Sequence, residues 1–362
     1  MSDYVIPGLG IVNLEFDGKS VVMPEGGILT SPVWLDGFTY RKKFTISRSS
    51  GLVTNYQMKL LVGESSGSSG AEVHCEGHCL SNFNDLRFTS YDGITVFDYW
   101  IESIYGTTPN QTATIWIEFP SINTSFAPFY MYYGNSDASE YSNGENTFPF
   151  FDHFNTESMD TNKWYHWYTN GSTSLSNSIL SLVGGSGTYN YWGGKTQFGI
   201  NHAFRSRGYI TIDGSANDAC IFGVDDRSAT GSPIGAGADL AFFHITGGAK
   251  RYSWYKNGSA YYDSRADAIQ SFSLLEIRRN STTNVKCYIG DVLKETISSN
   301  VPSSDNMGAC LYSNYASHTI YWDWVLVRKY EETEPAWGSW YSEESLEEAV
   351  SQNYGGMFLI FV

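Results

Sequence analysis

Apolar and polar residues alternate along many short stretches of this chain. In the segment ATIWIEF, residues 113, 115, 117 and 119 are apolar and fall on one face of an extended chain. The segment SLLEIRR repeats the pattern, with Leu275 and Ile277 on one face and Glu276 and Arg278 on the other. A period of two residues is that of a β-strand with one buried face. These stretches therefore predict strands that pack one face into a hydrophobic core.

Turn signals separate these stretches. Asp17-Gly18 lies between the strand-like pieces GIVNLEF and KSVVM, and Asn257-Gly258 lies between RYSWYK and SAYYDS. Both dipeptides favour the tight turns of β-hairpins. Many short strands at regular spacing are typical of sandwiches and jelly rolls. We therefore expect an all-β chain built as two tandem β-sandwiches.

Changes in pattern divide the chain into four parts, since its length suits two domains with short extensions. The parts are an N-terminal arm and linker, a first β-sandwich, a second β-sandwich and a C-terminal tail, over residues 1–33, 34–150, 151–335 and 336–362.

The C-terminal tail combines a helical and an apolar segment. SEESLEEAVSQNYGG predicts a short helix that Ser342 or Ser345 caps and two glycines end. The apolar MFLIFV that follows would offer unpaired strand edges to water. We expect this strand to pair within the protein or with a neighbouring subunit, as part of a homo-oligomer.

Composition supports the fold class and excludes some functions. Of 362 residues, 41% are hydrophobic, 16% aromatic and only 17% charged, as in β-rich proteins with many turns. The formal net charge of −16 would repel a phosphate backbone, so we expect no nucleic-acid partner. We also expect no membrane insertion, because no apolar stretch is long enough to span a bilayer. The N-terminal residues lack the pattern of a signal peptide.

Two histidines and two cysteines crowd into HCEGHC, residues 74–79. Zinc ligands usually come as two pairs separated by a dozen residues or more. We therefore predict that His74, Cys75, His78 and Cys79 bind no metal. A Cys75–Cys79 disulfide is the expected state in an oxidising setting, and two free thiols are the alternative.

Five segments in the first sandwich resemble a known family. They are PVWLDGFTYRKKFTI, NYQMKLLV, HCEGHCLSNFNDLRFTSYDGITVFDYWIE, ATIWIEFPSI and FYMYYGNSDA. Together, over roughly residues 32–150, they resemble a bacterial and archaeal domain family of unknown function that occurs in large surface, secreted and viral proteins. That resemblance implies no catalytic activity.

The second sandwich resembles a different family at its two ends. FFDHFNTESMDTNKW is similar to the entry strand of a concanavalin A-like lectin/glucanase domain, and YWDWVLVRKYEETEP to its closing strand. The resemblance covers about residues 150–335 and implies a two-sheet jelly roll.

Catalytic carboxylates are not evident in the sequence. Glycosidases of this fold use a pattern close to Glu-x-Asp-x-x-Glu, with two carboxylates in one cleft, and the chain lacks it. Asp225 and Asp226 are adjacent, so on a strand they would face opposite sides, and EETE (331–334) follows the closing strand. With no other catalytic motif present, we predict no catalytic residue and a protein that is not an enzyme.

Metal binding has little support in the sequence. Calcium is common in lectin-like jelly rolls and takes oxygen ligands, for which Asp152, Asp160, Asp225 and Asp226 are candidates. No compact loop of alternating carboxylates is present, so turn and cap roles suit these residues better. We predict no cofactor.

Two aromatic clusters near turns could contact sugars. They are Tyr189, Tyr191 and Trp192 in TYNYWGG, and Trp254, Tyr255, Tyr261 and Tyr262 in WYKNGSAYY. Sugar binding needs aromatic faces flanked by hydrogen-bonding groups. Strand alternation will turn about half of each set into the core, so only some of these residues would meet a ligand.

These observations predict a non-enzymatic virion surface protein, such as a tail fibre, a receptor-binding protein or a capsid decoration protein. It would bind a host-surface glycan and other virion subunits, and it would be located at the virion surface. The alternative is a secreted or cell-surface protein that binds or degrades polysaccharides. A third reading is a structural assembly protein without a ligand.

Overall fold

The computed structural model confirms an all-β architecture with several sheets. It describes residues 2–6, 10–14, 21–22, 28–29, 33–49, 51–124, 128–167, 170–185, 190–211, 219–226, 240–246, 249–256, 259–265, 271–301, 306–313, 319–353 and 360–361. The chain forms two compact units, Met1–Thr147 with Pro335–Val362 and Phe148–Glu334. The segment 336–362, predicted as a separate tail, thus lies in the first unit.

In the described part of the chain, twelve strands and one short helix of the first unit precede the second unit. They are β1 Ser2–Ile6, β2 Gly10–Leu14, β3 Val21–Val22, β4 Ile28–Leu29, β5 Tyr40–Ser47, β6 Val53–Gly63, β7 Val73–His74, β8 Arg87–Thr89, β9 Val96–Phe97, β10 Tyr99–Tyr105, β11 Thr112–Ile122, β12 Phe129–Tyr133 and α1 Gly144–Thr147.

Among its described residues, the second unit has fifteen strands. They are β13 Phe150–Asp152, β14 Trp164–Trp167, β15 Ser172–Ser176, β16 Ile179–Val183, β17 Asn190–Gly194, β18 His202–Thr211, β19 Ala219–Asp225, β20 Leu240–Thr246, β21 Ala249–Lys256, β22 Ser259–Arg265, β23 Ser273–Arg279, β24 Val285–Ile289, β25 Val292–Ile297, β26 Gly308–Ser313 and β27 Thr319–Lys329. The chain then returns to the first unit with β28 Ala336–Ser345, α2 Leu346–Asn353 and β29 Ile360–Phe361.

The first sandwich consists of a four-stranded sheet, β10-β11-β6-β7, and a five-stranded sheet, β28-β5-β12-β8-β9. Its core confirms the alternation in ATIWIEF, because Ile115, Ile117 and Phe119 are all fully buried in it. Trp116 is also buried on the opposite side of β11, where its indole Nε1 donates to Glu102 Oε2 at 2.7 Å.

The strand β28 was not predicted. It pairs with β5, and its register shifts between Trp337 and Trp340 and again before Glu343. Both tryptophans pack on the core, with ring centroids 5.6 Å and 4.6 Å from that of Phe44. These bulges break the period of two residues, which is why the alternation rule missed the strand.

The rest of the tail agrees with its predicted elements. Helix α2 begins at Leu346, and Ser345 Oγ accepts the backbone N–H of Glu348 at 3.2 Å, as an N-cap does. Strand β29 pairs with β1 within the same chain, at Tyr4↔Phe361 and Val5↔Ile360. The apolar C-terminal strand is therefore paired within the protein, and the homo-oligomer stays a prediction.

The predicted N-terminal hairpin is wrong. GIVNLEF and KSVVM do supply β2 and β3, but β2 pairs with β1 and β3 pairs with β4. The Asp17-Gly18 dipeptide lies outside the described residues. A turn dipeptide is a local signal, whereas the partner of a strand is set by the number of positions at which the two can pair. Strand β1 pairs with β2 at five positions.

The second unit is a two-sheet jelly roll, as predicted. One sheet has the order β15-β16-β27-β18-β23-β24-β25, with β13 also paired to β27, and the other has the order β14-β17-β26-β19-β20-β21-β22. A single core lies between them and includes Trp164, Phe204, Leu311 and Trp322. Strands β21 and β22 pair from Lys256↔Ser259 onward, as expected of a hairpin, and the Asn257-Gly258 dipeptide itself lies outside the described residues.

A buried ion network lies on the outer side of the first of these sheets. Leu275 and Ile277 enter the core as predicted, but Glu276 on the other side is only 1% exposed. Its carboxylate accepts from Arg205 Nη1 and Arg328 Nε, each at 3.0 Å. Burial alone would raise the pKa of Glu276, but the charges of Arg328, Arg205 and Arg278 lower it well below its usual value.

Among the described residues, no helix has both the length and the apolar character needed to cross a membrane.

Candidate carbohydrate-binding site

The sheet that begins β14-β17-β26-β19 has two contrasting faces. Trp164, Trp192, Leu311 and Val224 belong to the core of the jelly roll. Because side chains alternate along a strand, the residues between them lie on the outer face. Those residues are Tyr165, Tyr191, Gly193, Cys310, Tyr312, Gly223 and Asp225.

A buried polar pair occupies this outer face. The hydroxyl of Tyr191 donates to Asp225 Oδ2 at 2.7 Å, and both residues are only 2% exposed. Burial, together with the charge of Asp225, raises the pKa of Tyr191 well above its usual value. Tyr191 therefore stays protonated at neutral pH and holds the carboxylate by a charge-assisted hydrogen bond.

Other aromatic rings surround this pair. The hydroxyl oxygens of Tyr165 and Tyr191 are 3.2 Å apart, and their ring centroids 5.9 Å. Tyr312 lies beside Tyr191 in the register of β17 and β26, with ring centroids 6.5 Å apart. Three tyrosines and one carboxylate thus form a layer outside the hydrophobic core, and we call this layer the Tyr191 face.

Glycines form the floor beside these rings. Gly193 of β17 and Gly223 of β19 pair with Cys310 of β26 from opposite sides. Across these three paired positions, the one side chain is the small thiol of Cys310. The ring of Tyr165 lies across Gly193, where a Cβ would overlap it. Glycine at this position therefore lets the ring lie close to the sheet.

The register extends this face toward the predicted hairpin cluster. Asp225 is followed across the sheet by Leu240, Tyr255 and Ala260. Gly223 is followed by Phe242, Ser253 and Tyr262. The backbone therefore places positions 255 and 262 on the same face as Asp225, as expected for part of the predicted cluster.

Positions 254 and 261 fall on the other face. They continue the row of Val224 and Ala241 across the sheet, and Val224 lies in the core. Only the backbone of β21 and β22 is described, so the aromatic side chains of this cluster lie outside the described residues.

The first predicted cluster also divides between the faces. Trp192 turns into the sandwich and is 8% exposed, with its Nε1 donating to Thr173 Oγ1 at 3.1 Å. The imidazole of His166 stacks on its ring at a centroid distance of 4.0 Å. Trp192 therefore offers no free ring face to a sugar, and Tyr189 lies outside the described residues.

Sequence reasoning missed two tyrosines and set aside the carboxylate. Tyr165 lies in WYHW, an aromatic run that could have singled it out, whereas Tyr312 lies in GACLYS, which holds one aromatic residue and no turn signal. Asp225 was set aside because its neighbour Asp226 would face away. In the structure β19 ends at Asp225, which shares the outer face with Tyr191.

The aspartates considered for calcium hold local structure. Asp152 is buried and accepts from the backbone N–H of Phe154 at 2.8 Å and from Trp164 Nε1 at 2.6 Å. Asp160 accepts from the backbone N–H of Asn162 at 2.8 Å. Within the described part of the chain, no group of three His, Cys, Asp or Glu side chains could hold a metal ion.

The cysteine loop of the first unit holds free thiols in the structure. Cys75 is buried and Cys79 half-buried, and the expected disulfide between them is not formed. Burial, followed by a hydrogen bond with Cys79, raises the pKa of the Cys75 thiol. A raised pKa keeps Cys75 as a thiol rather than the thiolate that disulfide exchange requires.

The two histidines of this loop have separate partners. His74 Nδ1 lies 2.7 Å from the backbone oxygen of Ser65, whereas His78 Nδ1 lies 3.0 Å from Glu343 Oε2. His78 also stacks on the ring of Tyr40 at 4.0 Å. Each histidine is therefore held by its own hydrogen-bond partner.

A comparison with protein families gives one match. Residues 82–167 match the sequence profile of a domain of unknown function, DUF2341. The match supports the resemblance of the N-terminal half to a family without an assigned activity. A comparison with curated proteins gave no match.

Solved structures with a similar fold cover the C-terminal half of the chain. A β-glucanase of Bacillus licheniformis is 16% identical, with 50% of this chain and 97% of that chain covered at a TM-score of 0.38. A glycoside hydrolase family 16 endo-glucanase from Bacteroides ovatus is 14% identical, with 49% and 99% covered at 0.38. A β-1,3-glucanase from Mycobacterium marinum is 14% identical, with 50% and 98% covered at 0.38.

The prediction that the chain is not an enzyme is contradicted by this comparison, because these neighbours are glycoside hydrolases. It had rested on the missing Glu-x-Asp-x-x-Glu pattern, and a pattern in sequence is a poor guide to which carboxylates one sheet face brings together. We therefore withdraw it.

Proposed function

We propose that the chain is a polysaccharide-binding or polysaccharide-degrading protein of the cell surface or the extracellular space. Its jelly roll would take a sugar chain on the Tyr191 face. The observation that carries the proposal is the buried Tyr191–Asp225 hydrogen bond, which lies outside the hydrophobic core.

The cost of burial supports a functional reading of this pair. Moving a carboxylate out of water costs roughly several kcal/mol of free energy unless hydrogen bonds compensate for the lost hydration. Asp225 is buried on the outer face of the sheet, so its burial adds nothing to the hydrophobic core. Buried titratable groups with perturbed pKa values cluster at functional sites.

The chemistry of the face suits a sugar. Pyranose rings offer apolar C–H faces to aromatic rings and hydroxyl groups to hydrogen-bonding partners, the combination found in small-molecule sites. Tyr165 is half-buried and gives the face an aromatic ring that solvent can reach. Asp225 and Tyr191 are each only 2% exposed, so their hydrogen bond would hold the tyrosine rings in position for the sugar rather than contact it.

The net negative charge of the chain favours neutral glycans over acidic glycans as ligands. A net charge of −16 disfavours uronic-acid and sulfated polymers through long-range repulsion. Neutral glucans, mannans and xylans are therefore the ligand class that we propose.

The experiment that tests this function uses the full chain against a panel of neutral polysaccharides. Affinity electrophoresis measures binding, and reducing-end release measures cleavage. Tyr191→Phe and Asp225→Asn should each weaken binding or slow cleavage about tenfold, the effect of one lost hydrogen bond to a charged group. Tyr91→Phe, at a tyrosine 70% exposed in the first unit, is the matched control and should change neither. Unaltered binding and cleavage in both Tyr191 and Asp225 variants would contradict the proposal.

The location of the chain on a virion and its role as a tail fibre, receptor-binding or decoration protein stay predictions. They rest on the β-rich composition, the lack of a signal-peptide pattern and the resemblance of the first sandwich to a family that occurs in viral proteins, and they are separable from the sugar site. Immunogold labelling of purified particles would test them.

A further inference from the structure

A second aromatic surface lies on the outer face of the other sheet of the jelly roll. Ile320 and Trp322 of β27 are fully buried in the core, so Tyr321 between them lies on the outer face. Tyr209 of β18 pairs with Tyr321 in the register. Phe272 lies next to Tyr209, with ring centroids 4.7 Å apart. We call these three rings the tyrosine platform.

The rings of the platform stand upright on the sheet. Those of Tyr209 and Tyr321 are nearly parallel, at an angle of 13° and a centroid distance of 4.6 Å. Neighbouring strands lie about 4.8 Å apart, so two stacked rings at this spacing must each rise from its own strand. One face of Tyr321 is covered by Tyr209, and its other face is turned toward β16.

Small side chains lie beside that second face. Tyr321 pairs with Ser181 of β16, and Ser181 pairs with Ser174 of the edge strand β15. Ser181 is half-buried and Ser174 is exposed. In this row the tyrosine ring is therefore followed by two small serines. The ring stands beside a shallow depression, which we call the step, and the serine hydroxyl groups lie at its base.

Polar groups border the platform and are balanced in charge. Arg207 and Asp323 form an ion pair with side chains 39% and 27% exposed. The guanidinium of Arg207 also lies 4.5 Å from the centroid of Phe272. The pair offers both donors and acceptors while adding no net charge. Within the described residues, the hydroxyls of Tyr209 and Tyr321 are not engaged in hydrogen bonds.

We propose that the tyrosine platform is a second carbohydrate-binding site, with a neutral pyranose ring stacked on the face of Tyr321 that is turned toward β16, above Ser181. The combination of half-buried aromatic rings, adjacent hydroxyls and a neutral pair of charged groups fits a polyhydroxylated ring. A nucleic acid would meet an acidic protein without a basic patch. The two sites belong to different sheets, so the platform would hold a polymer independently of the Tyr191 face.

This proposal shares the ligand class of the proposed function but uses different residues, so one experiment can separate them. Binding of the full chain to cellulose, chitin, curdlan and soluble neutral glucans is measured for each variant. Tyr321→Ala removes the wall, and Ser181→Gln fills the step while keeping the ring. Each should weaken binding about threefold to tenfold, the range of one aromatic contact.

Two controls guard against loss of fold. Tyr321→Trp keeps an aromatic face and should restore most of the binding lost in Tyr321→Ala. Thr282→Ala removes one exposed hydroxyl between β23 and β24, outside the step, and should bind as well as the wild type. Melting temperatures of all variants show whether the jelly roll is intact. Ser181→Gln tests the step even if Tyr321→Ala unfolds.

The outcomes distinguish the two sites. Weaker binding in the platform variants but not in Tyr191→Phe would support the platform and contradict the Tyr191 face. Weaker binding in Tyr191→Phe alone would overturn the platform and leave the proposed function intact. If the wild-type protein binds none of the glycans, both proposed sites are overturned.

Discussion

Tyr191 donates its hydroxyl hydrogen to Asp225 at 2.7 Å on the side of the sheet turned away from the core. The two residues belong to β17 and β19, which are separated by β26. Only the sheet brings them together, since they are 34 positions apart in the sequence. This pair is the centre of the site that we propose, and the predictions below test it and the fold that positions it.

The C-terminal strand β28 should be integral to the first sandwich. Trp340 packs on Phe44 in the core cluster, so Trp340→Ala should lower the free energy of unfolding of the first unit by about 3 kcal/mol. Tyr341, the next residue, is 46% exposed, and Tyr341→Ala should cost less than about 1 kcal/mol. Denaturant unfolding, followed by tryptophan fluorescence and circular dichroism, measures both. Equal effects would show that β28 is not packed as described.

Glu276 should be essential to the stability of the jelly roll. It is fully buried among Arg205, Arg278 and Arg328, so Glu276→Gln leaves buried positive charge without its partner. The free energy of unfolding should fall by about 3–5 kcal/mol. Glu157→Gln, at an exposed glutamate of the same unit, is the control and should change it by no more than about 0.5 kcal/mol.

The same ion network predicts how stability depends on pH. The pKa of Glu276 is lowered in the folded protein, so its contribution is complete above the pKa of a glutamate in the unfolded chain, about 4.3. The contribution is lost as pH falls from there toward the folded pKa. Wild-type stability should therefore decline more steeply below about pH 4.3 than that of Glu276→Gln. Parallel pH profiles for the two proteins would contradict this account.

The two thiols of the cysteine loop should differ in reactivity. Cys75 is buried and its pKa is raised, whereas Cys79 is half-buried. In the native protein, iodoacetamide should therefore modify Cys79 well before Cys75. Peptide mass spectrometry after timed quenching measures the two rates. Recovery of the two cysteines as a disulfide from non-reduced protein would instead restore the pairing expected from the sequence.

Sequence pattern predicted the architecture better than it predicted the site. Alternation in ATIWIEF and SLLEIRR identified the core positions correctly, because burial of one strand face imposes a period of two residues. The same rule failed for β28, where two register shifts interrupt the period. It also suggested a solvent-facing Glu276, which three arginines on neighbouring positions bury instead.

The site depended on pairing that local pattern does not contain. Alternation separates Tyr191 from Trp192, but only the register shows that Tyr165, Tyr312 and Asp225 share the face of Tyr191. The carboxylate was judged by its sequence neighbour Asp226, whereas its hydrogen-bond partner is a tyrosine two strands away. Likewise, the Tyr209–Tyr321 stack joins residues from two strands far apart in sequence.

The central claim is that the Tyr191 face holds a neutral glycan. Isothermal titration of the full chain with an oligosaccharide of the best-bound polysaccharide, compared between wild type and Asp225→Asn, tests it most directly. We predict saturable binding by the wild type and an affinity about tenfold lower in the variant, the loss expected when a charged hydrogen-bond acceptor is removed. Equal affinities for two equally stable proteins would contradict the claim.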